Sequence, residues 1–355
     1  MQYVKRIIQA GAGTGKTSLL IKEALNLKSE GKVLYLTYTR NNLKSMKNDI
    51  ASKPGGLSES IECRTWIEFL FNEMAKPYRK MVKMPLIEGL DDTLESKIPK
   101  RKGLTSNSKG YYINRNNHLY SERLAQFVDV INKIINGRIY NRIEKIYSTV
   151  LIDEVQDLNG YDLEIIRNIY NLSCNVIIVG DHRQSTYSTN TSRKHSIYKN
   201  DKIFNFFIKE MGIEHLEQLE VCYRCNQEIC DFVNALYDDL KLIEDPHRER
   251  QEDEGIVKLN NQQELLNYTK NYSPTILYYN VKTLNKLEKL GVPRYLEQVT
   301  FGKAKGITRQ HVLIFPTKDM KNKMYDWSVD LKGQTLAKFY VAMTRARYSV
   351  AIYLG

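Results

Sequence analysis

Residues 10–17 read Ala10-Gly11-Ala12-Gly13-Thr14-Gly15-Lys16-Thr17, a run built for holding phosphate. Its glycines let the backbone turn tightly enough for several N–H groups to point inward at β- and γ-phosphate oxygens. Lys16 supplies a point charge to those oxygens, the Thr17 hydroxyl suits a Mg²⁺ ligand, and Ser18 continues the run. A second reactive stretch, Asp153-Glu154-Val155-Gln156-Asp157, directly follows the apolar Val150-Leu151-Ile152. Carboxylates delivered to the carboxyl edge of a parallel sheet sit where ligands bind in such folds. Asp153 would hold Mg²⁺ across from Thr17, and Glu154 would orient and deprotonate a water. The chemistry these two runs imply is hydrolysis of a nucleoside triphosphate.

Such a loop works only between a strand and a helix, and the pattern supplies both: a strand over Val4–Gln9 and a helix over Ser18–Leu27. Further strands are expected at Val33–Thr37, Ile61–Cys63, Thr149–Ile152 and Asn175–Val179, with helices at Arg40–Ile50, Thr65–Met74 and Tyr161–Tyr170. Tyr120–Ile135 reads as an amphipathic helix, with Leu124, Phe127, Val128, Ile131, Ile134 and Ile135 on one side. A second alternating series starts near Glu214, with strands at Leu216–Val221, Ile256–Leu259, Thr275–Tyr278, Val299–Phe301, Val312–Phe315 and Tyr348–Leu354. Helices are expected at Asn226–Leu240, Leu284–Leu290 and Leu336–Thr344. Alternation of this kind implies an α/β fold with parallel sheets covered on both faces.

The chain has 355 residues, enough for about two domains. With 42% hydrophobic and 26% charged residues it reads as globular and cytoplasmic, with no membrane span, no leader segment and five reduced cysteines. A net charge of +12 suits an acidic polymer as partner, most often nucleic acid, and suits simple solubility about as well. Between Lys76 and Arg115 ten Lys or Arg face four Asp or Glu, with Tyr111 and Tyr112 among them, a mixture that fits a single strand or a solvated loop equally. Cys222, Cys225 and Cys230, with His215 nearby, lack the paired spacing of a structural zinc site.

Lys16 with Asp153–Asp157 resembles the superfamily 1 DNA helicases of the UvrD, Rep and PcrA type, and further segments match in that family's order. Leu36–Asn41 (LTYTRN) resembles motif Ia, Thr65-Trp66 motif Ib, and Val179–Tyr187 (VGDHRQSTY) motif III. Cys222–Asn234 (CYRCNQEICDFVN) resembles motif IV, Thr300–Ile307 (TFGKAKGI) motif V, and Tyr340–Arg347 (YVAMTRAR) motif VI. The resemblance implies two RecA-like P-loop NTPase domains with parallel sheets. The first would span 1–74 and 146–212, with a reduced accessory insertion at 75–145, and the second 213–355. It also implies ATP and Mg²⁺ as cofactors. Gln184 would link γ-phosphate to nucleic acid, Tyr223 would stack on the base, Gly306 would line the nucleotide, and Arg224 and Arg345 would reach the γ-phosphate. Tyr38, Thr39, Thr65, Trp66, Tyr187 and Thr300 would contact the strand.

The sequence departs from the family in four places. Only nine residues precede Ala10, too few for the adenine-reading helix, and Ser18 stands where relatives often carry arginine. Tyr187 is followed by Ser188-Thr189-Asn190 rather than by an aromatic and an arginine. Thr308 stands where relatives carry a glutamate. Thr300 arrives seven residues after Pro293, leaving no room for the second accessory insertion. The expectation is a minimal motor hydrolysing ATP to move 3′ to 5′ along single-stranded or tailed duplex DNA. A DNA-sensing regulatory ATPase partnered with a nuclease or another protein, and an RNA helicase, stand as alternatives. Binding through phosphate contacts releases counterions, so affinity for a single strand is expected to fall steeply with salt in filter-binding titrations, and a flat salt response would remove the electrostatic groove.

Overall fold

The structure, a computed structural model, describes residues 3–54, 56, 58–98, 104–186 and 192–355. Tyr187 and the basic run Lys100-Arg101-Lys102 lie outside the described residues. The chain forms two compact units, one of residues 1–8, 17–180 and 187–217, the other of 9–16, 181–186 and 218–355.

The first sheet comprises β1 (Lys5–Ala10), β2 (Val33–Thr37), β3 (Ile61–Thr65), β4 (Thr149–Ile152), β5 (Asn175–Gly180) and β6 (Glu217–Leu219), in the order β3-β2-β4-β5-β1-β6. β2 pairs in parallel with β3 and β4, and β4 with β5. Every residue of β2, β4 and β5 is buried, as strands covered on both faces must be. The helices α1 (Lys16–Leu27), α2 (Arg40–Ala51), α3 (Leu124–Ile134) and α4 (Tyr161–Tyr170) accompany this sheet in the chain.

Two expectations in this unit are corrected. On α3 the residues Leu124, Phe127, Val128 and Ile131 are buried, and Ile135 just beyond it, but Ile134 is exposed. At 100° per residue Ile135 returns to the azimuth of Leu124 while Ile134 falls about a quarter turn away. Trp66, expected to meet a strand of nucleic acid, is only 2% exposed, and its indole N–H donates to Asp162 Oδ1 on α4 at 2.7 Å. Its ring belongs to the core. So does Tyr112, whose ring centroid lies 5.0 Å from that of Phe127, whereas Tyr111 stays half-buried under the Arg123 guanidinium, 3.8 Å away.

The stretch expected as an accessory insertion shares the core of its unit. Ala75, Tyr78, Ile87, Leu119, Phe127 and Ile143 pack in one cluster with Leu34, Val150 and Ile178 of the sheet.

In the second unit the strands are β7 (Gly255–Leu259), β8 (Thr275–Tyr278), β9 (Gln298–Thr300), β10 (Arg309–Ile314) and β11 (Ala346–Tyr353). Their order is β7-β11-β10-β8-β9 and every pairing is parallel. The helices α5 (Gln227–Asn234) and α6 (Gly333–Met343) belong to this unit, and α6 buries Phe339, Tyr340, Val341, Ala342 and Met343 in its core. Among the described residues no helix is long and apolar enough to cross a membrane.

Replacing Trp66 by Ala should cost about 3–5 kcal/mol of stability, the range for a large buried aromatic, read from the urea midpoint. A loss under about 0.5 kcal/mol would return Trp66 to the surface.

Candidate nucleotide site

In the first unit, β4 ends at Ile152 and hands Asp153 to the sheet's carboxyl edge. Asp153 Oδ2 accepts hydrogen bonds from the Thr17 hydroxyl and from the buried Tyr35 hydroxyl, each at 3.3 Å. Burial first, then the Asp153 charge, pushes the Tyr35 phenol well above its ordinary range, so it stays a donor. Two hard oxygens, Thr17 Oγ1 and Asp153 Oδ2, side by side are a donor pair that suits Mg²⁺. Asp153 Oδ1 accepts the Glu154 N–H at 2.8 Å, and Glu154 takes φ 58°, ψ 39°, a left-handed backbone that costs a non-glycine residue energy. The Gln156 amide donates to the Glu154 carboxylate. Gly180, at the end of β5, is required here for space: a Cβ would come within 2.7 Å of both Gln156 Oε1 and Val155 Cγ1.

The phosphate loop belongs to the second unit, and its bonds say why. Gly11 N–H donates to Leu219 O (3.3 Å), Ala12 N–H to the Tyr340 hydroxyl (3.0 Å), and Tyr223 N–H to Gly13 O (2.9 Å). Gly13 and Gly15 hold φ of 75° and 77°, which lets successive N–H groups face one side. Lys16, 8% exposed, donates to Gly11 O at 2.9 Å and lies 4.0 Å from Asp181 Oδ2. Asp181, fully buried, also accepts from Gln184 Nε2 (2.7 Å) and from the Tyr340 hydroxyl (3.2 Å).

Arg345 is 1% exposed and donates to Val341 O (2.8 Å), Thr344 Oγ1 (3.0 Å) and Gln184 Oε1 (3.4 Å). Burial, then the like charge of Arg224, pushes its guanidinium down to about 9, which leaves it a cation at neutral pH. Arg224 donates to Thr344 O at 3.0 Å. The Tyr223 ring is 55% exposed and borders Gly15, where a Cβ would meet it at 3.6 Å. The sequence-read residues Lys16, Gln184, Tyr223, Arg224 and Arg345 thus share one unit with the loop.

Motif III is braced by a residue the sequence did not single out. The helix expected to run to Leu240 ends at Asn234, and the chain beyond it brings Asp239 to His182 Nε2 (2.5 Å), Arg183 Nη2 (3.0 Å) and Gln9 Nε2 (2.9 Å). Burial alone would raise the Asp239 carboxyl, but His182 and Arg183 hold it well below the usual carboxylate range. Tyr35, Asp181 and Tyr340 were missed likewise. Asp181 carried a signal, an acid directly after an apolar strand, while Asp239 and Tyr35 carried none, because their partners are remote in sequence.

The remaining expected contacts are spent locally or lie elsewhere. Thr39 Oγ1 accepts from Asn42 N (3.1 Å) and Thr65 Oγ1 from Glu68 N (3.2 Å), so both hydroxyls cap helices. Tyr38 is half-buried against the core, and Thr300 is half-buried at the end of β9. Gly306 takes φ 86° in the turn before β10. Ser18 is exposed and lines a cavity of about 540 Å³ with Lys22, Asn26, Asp49 and Lys53.

Comparison with known proteins places this arrangement. Residues 104–354 match the viral superfamily 1 RNA helicase core domain, and residues 4–190 match an AAA domain. The chain is 24% identical over 247 residues to the ATP-dependent DNA helicase Rep of Buchnera aphidicola subsp. Schizaphis graminum, covering 56% of this chain and 38% of that protein. It is 23% identical over 284 residues to the ATP-dependent DNA helicase PcrA of Leuconostoc citreum, covering 65% and 36%. A solved complex of Arterivirus nonstructural protein 10 (helicase) with DNA aligns at 15% identity and TM-score 0.44, over 98% of this chain and 60% of that one. The chain belongs to the superfamily 1 helicases, with the parallel α/β build of two RecA-like domains, and is similar to the UvrD, Rep and PcrA type. It spans under two fifths of the length of those two curated relatives.

Asp239→Asn should destabilise the protein by about 1–3 kcal/mol at neutral pH, below the usual cost of breaking a buried pair because Asp239 is partly exposed. The lowered carboxyl contributes above the ordinary carboxylate range and stops contributing as acid protonates it. Thermal melts of the two proteins should therefore converge at low pH, and a constant gap would refute the ion-pair account.

Proposed function

We propose that this chain is a nucleic-acid-stimulated ATPase that spends ATP to move along single-stranded DNA, 3′ to 5′, and to open tailed duplexes. The observation that carries the reading is the gathering of Lys16, Arg224 and Arg345 in one unit with the phosphate loop, Lys16 and Arg345 linked through Asp181 and Gln184 and Arg224 bonded to Thr344 O beside Arg345. Phosphoryl transfer is catalysed mainly by positioning and by cations on the equatorial oxygens. A bound triphosphate supplies the transferable γ-phosphoryl group. Lys16 would exchange its bond to the Gly11 carbonyl for phosphate oxygens, and Arg224 and Arg345 would stabilise charge on the transferring group. Thr17 and Asp153 would hold Mg²⁺, and Glu154 would orient the water and take its proton. Gln184, already bonded to Arg345 and Asp181, would report loss of the γ-phosphate to the residues that follow it.

DNA as the track is supported by the DNA helicases Rep and PcrA among the relatives, while the net charge of +12 suits either polynucleotide. The match to a viral RNA helicase core favours a second reading, with RNA as the track.

ATP turnover measured with no strand, with single-stranded DNA and with single-stranded RNA decides between them. DNA should raise turnover by about tenfold or more, some 1.4 kcal/mol of barrier. Equal stimulation by RNA favours the second reading, and none by either removes the motor. Glu154→Gln should lower turnover by about 10²–10⁴-fold while nucleotide still binds, and wild-type turnover in that variant would overturn the assignment of the base.

A further inference from the structure

We propose that a cavity of the first unit, bordered by Tyr111 and Tyr161, takes one unpaired nucleotide of the bound strand, its base against the rings and its phosphate toward Arg193 and Lys194. The proposal rests on the reading of this chain as a protein that grips single-stranded DNA. It adds a subsite to that reading: of the described residues expected to meet a strand, Tyr38, Thr39, Thr65, Trp66 and Thr300, none lines this cavity.

The cavity measures about 390 Å³, within the range of about 300–1,000 Å³ usual for small-ligand sites. Three stretches remote in sequence line it: residues between Glu95 and Gln126, Tyr161 at the start of α4, and Ser192 to Lys194. Its walls are braced. The Arg123 guanidinium lies 3.8 Å from the Tyr111 ring centroid and donates from Nε to Glu95 Oε2 at 2.8 Å, so ring and guanidinium stand as one stack. The Lys194 ammonium lies 5.2 Å from the Tyr161 ring centroid and 3.3 Å from Glu164 Oε1, one turn along α4. Glu164 also pairs with His195 (2.6 Å) and Arg167 (3.2 Å), and one carboxylate shared so widely leaves positive charge over at Lys194. Arg193 beside it is exposed. Of the two acids in the lining, Glu95 is taken by Arg123, and Arg193 with Lys194 outweigh Glu122.

A carboxamide links the two tyrosines. The Tyr111 hydroxyl donates to Gln126 Oε1 and Gln126 Nε2 donates to the Tyr161 hydroxyl, each at 3.4 Å. Both bonds exceed the usual length of about 2.7–3.2 Å, so the edge of a base, with a donor and an acceptor of its own, replaces them at little cost. Rings, a planar guanidinium, an amide and cations at one cavity are the parts that hold an unpaired nucleotide: the π-faces take the base, the carboxamide its edge and the cations its phosphate. A flat apolar ligand would leave the cations unused, and a bare anion would leave the rings unused. A free mononucleotide shares this chemistry. The strand is favoured because the exposed Arg193 puts the phosphate end at the surface, where a chain continues.

The full chain is mixed with single-stranded DNA carrying 5-iodouracil and irradiated, and its peptides are mapped by mass spectrometry. Affinity for a fluorescent oligonucleotide is titrated in parallel. We expect a crosslink at Tyr111 or Tyr161, and Tyr161→Ala should weaken strand binding by about tenfold or more, the scale of one lost base stack. Tyr161→Phe, which keeps the ring, should stay within about threefold of the wild type. Should Tyr161→Ala not fold, Arg193→Gln carries the test, with a loss of about threefold or more and a slope of log affinity against log salt that is shallower by about 0.7. Crosslinks confined to other residues, wild-type affinity in Tyr161→Ala or Arg193→Gln, or an equal loss in Tyr161→Phe overturns the proposal. Equilibrium dialysis with deoxyadenosine monophosphate separates the two sources: retention that Tyr161→Ala abolishes, with strand affinity unchanged, assigns the cavity to a free nucleotide and overturns the strand. A wild type that binds no strand removes the proposed function and the subsite together, whereas wild-type binding with unaltered variants removes the subsite alone.

Discussion

Like charges held close in a dry setting are expensive, and the second unit holds several. Lys16 is 8% exposed and Arg345 is 1% exposed, and each charge must be offset without water. The protein offsets them with carbonyl oxygens and one buried acid: Gly11 O for Lys16, Val341 O for Arg345, and Asp181 at 4.0 Å from Lys16. Burial and the like charge of Arg224 lower the Arg345 guanidinium, so the compensation is incomplete. An anion with several oxygens would complete it better than carbonyls can, which is why a triphosphate is the ligand proposed for these cations.

Holding such groups still takes support that does no chemistry. Tyr340 gives one hydroxyl to both Ala12 N and Asp181 Oδ2, tying the loop to motif III. Asp239 braces His182 and Arg183 just ahead of Gln184, and the Arg183 guanidinium lies 5.4 Å from the Tyr237 ring and 5.6 Å from the Tyr340 ring. The first unit spends energy in another form. Glu154 is kept in a left-handed conformation by the Asp153 carboxylate and by Gly180, whose missing side chain admits Gln156. Strain is stored where a side chain has to be aimed.

Much of this was legible in the chain. Val33–Thr37, Thr149–Ile152, Tyr161–Tyr170 and Thr275–Tyr278 form the expected elements with the expected ends, because short buried strands and a helix with one apolar face are dictated by local pattern. Helices at Ile203–Met211, Gln262–Tyr272 and Lys318–Tyr325 went unread, the second and third being mostly polar with few buried residues. Trp66 was misread for a related reason. Sequence shows an aromatic at a strand end, and only the position of Asp162, nearly a hundred residues on, shows that the indole faces inward.

By itself the sequence determined the alternation of strand and helix, the phosphate loop and the order of the reactive segments, since each depends on neighbours within a few residues. Tertiary structure decided which groups those segments meet. It joined Asp239 to His182, Tyr340 to Ala12 and Tyr35 to Asp153, and it turned the Trp66 indole inward to Asp162. The reason is physical: a hydrogen bond or an ion pair needs two partners within about 3 Å, and partners separated by a hundred residues leave no periodic trace in either one's surroundings.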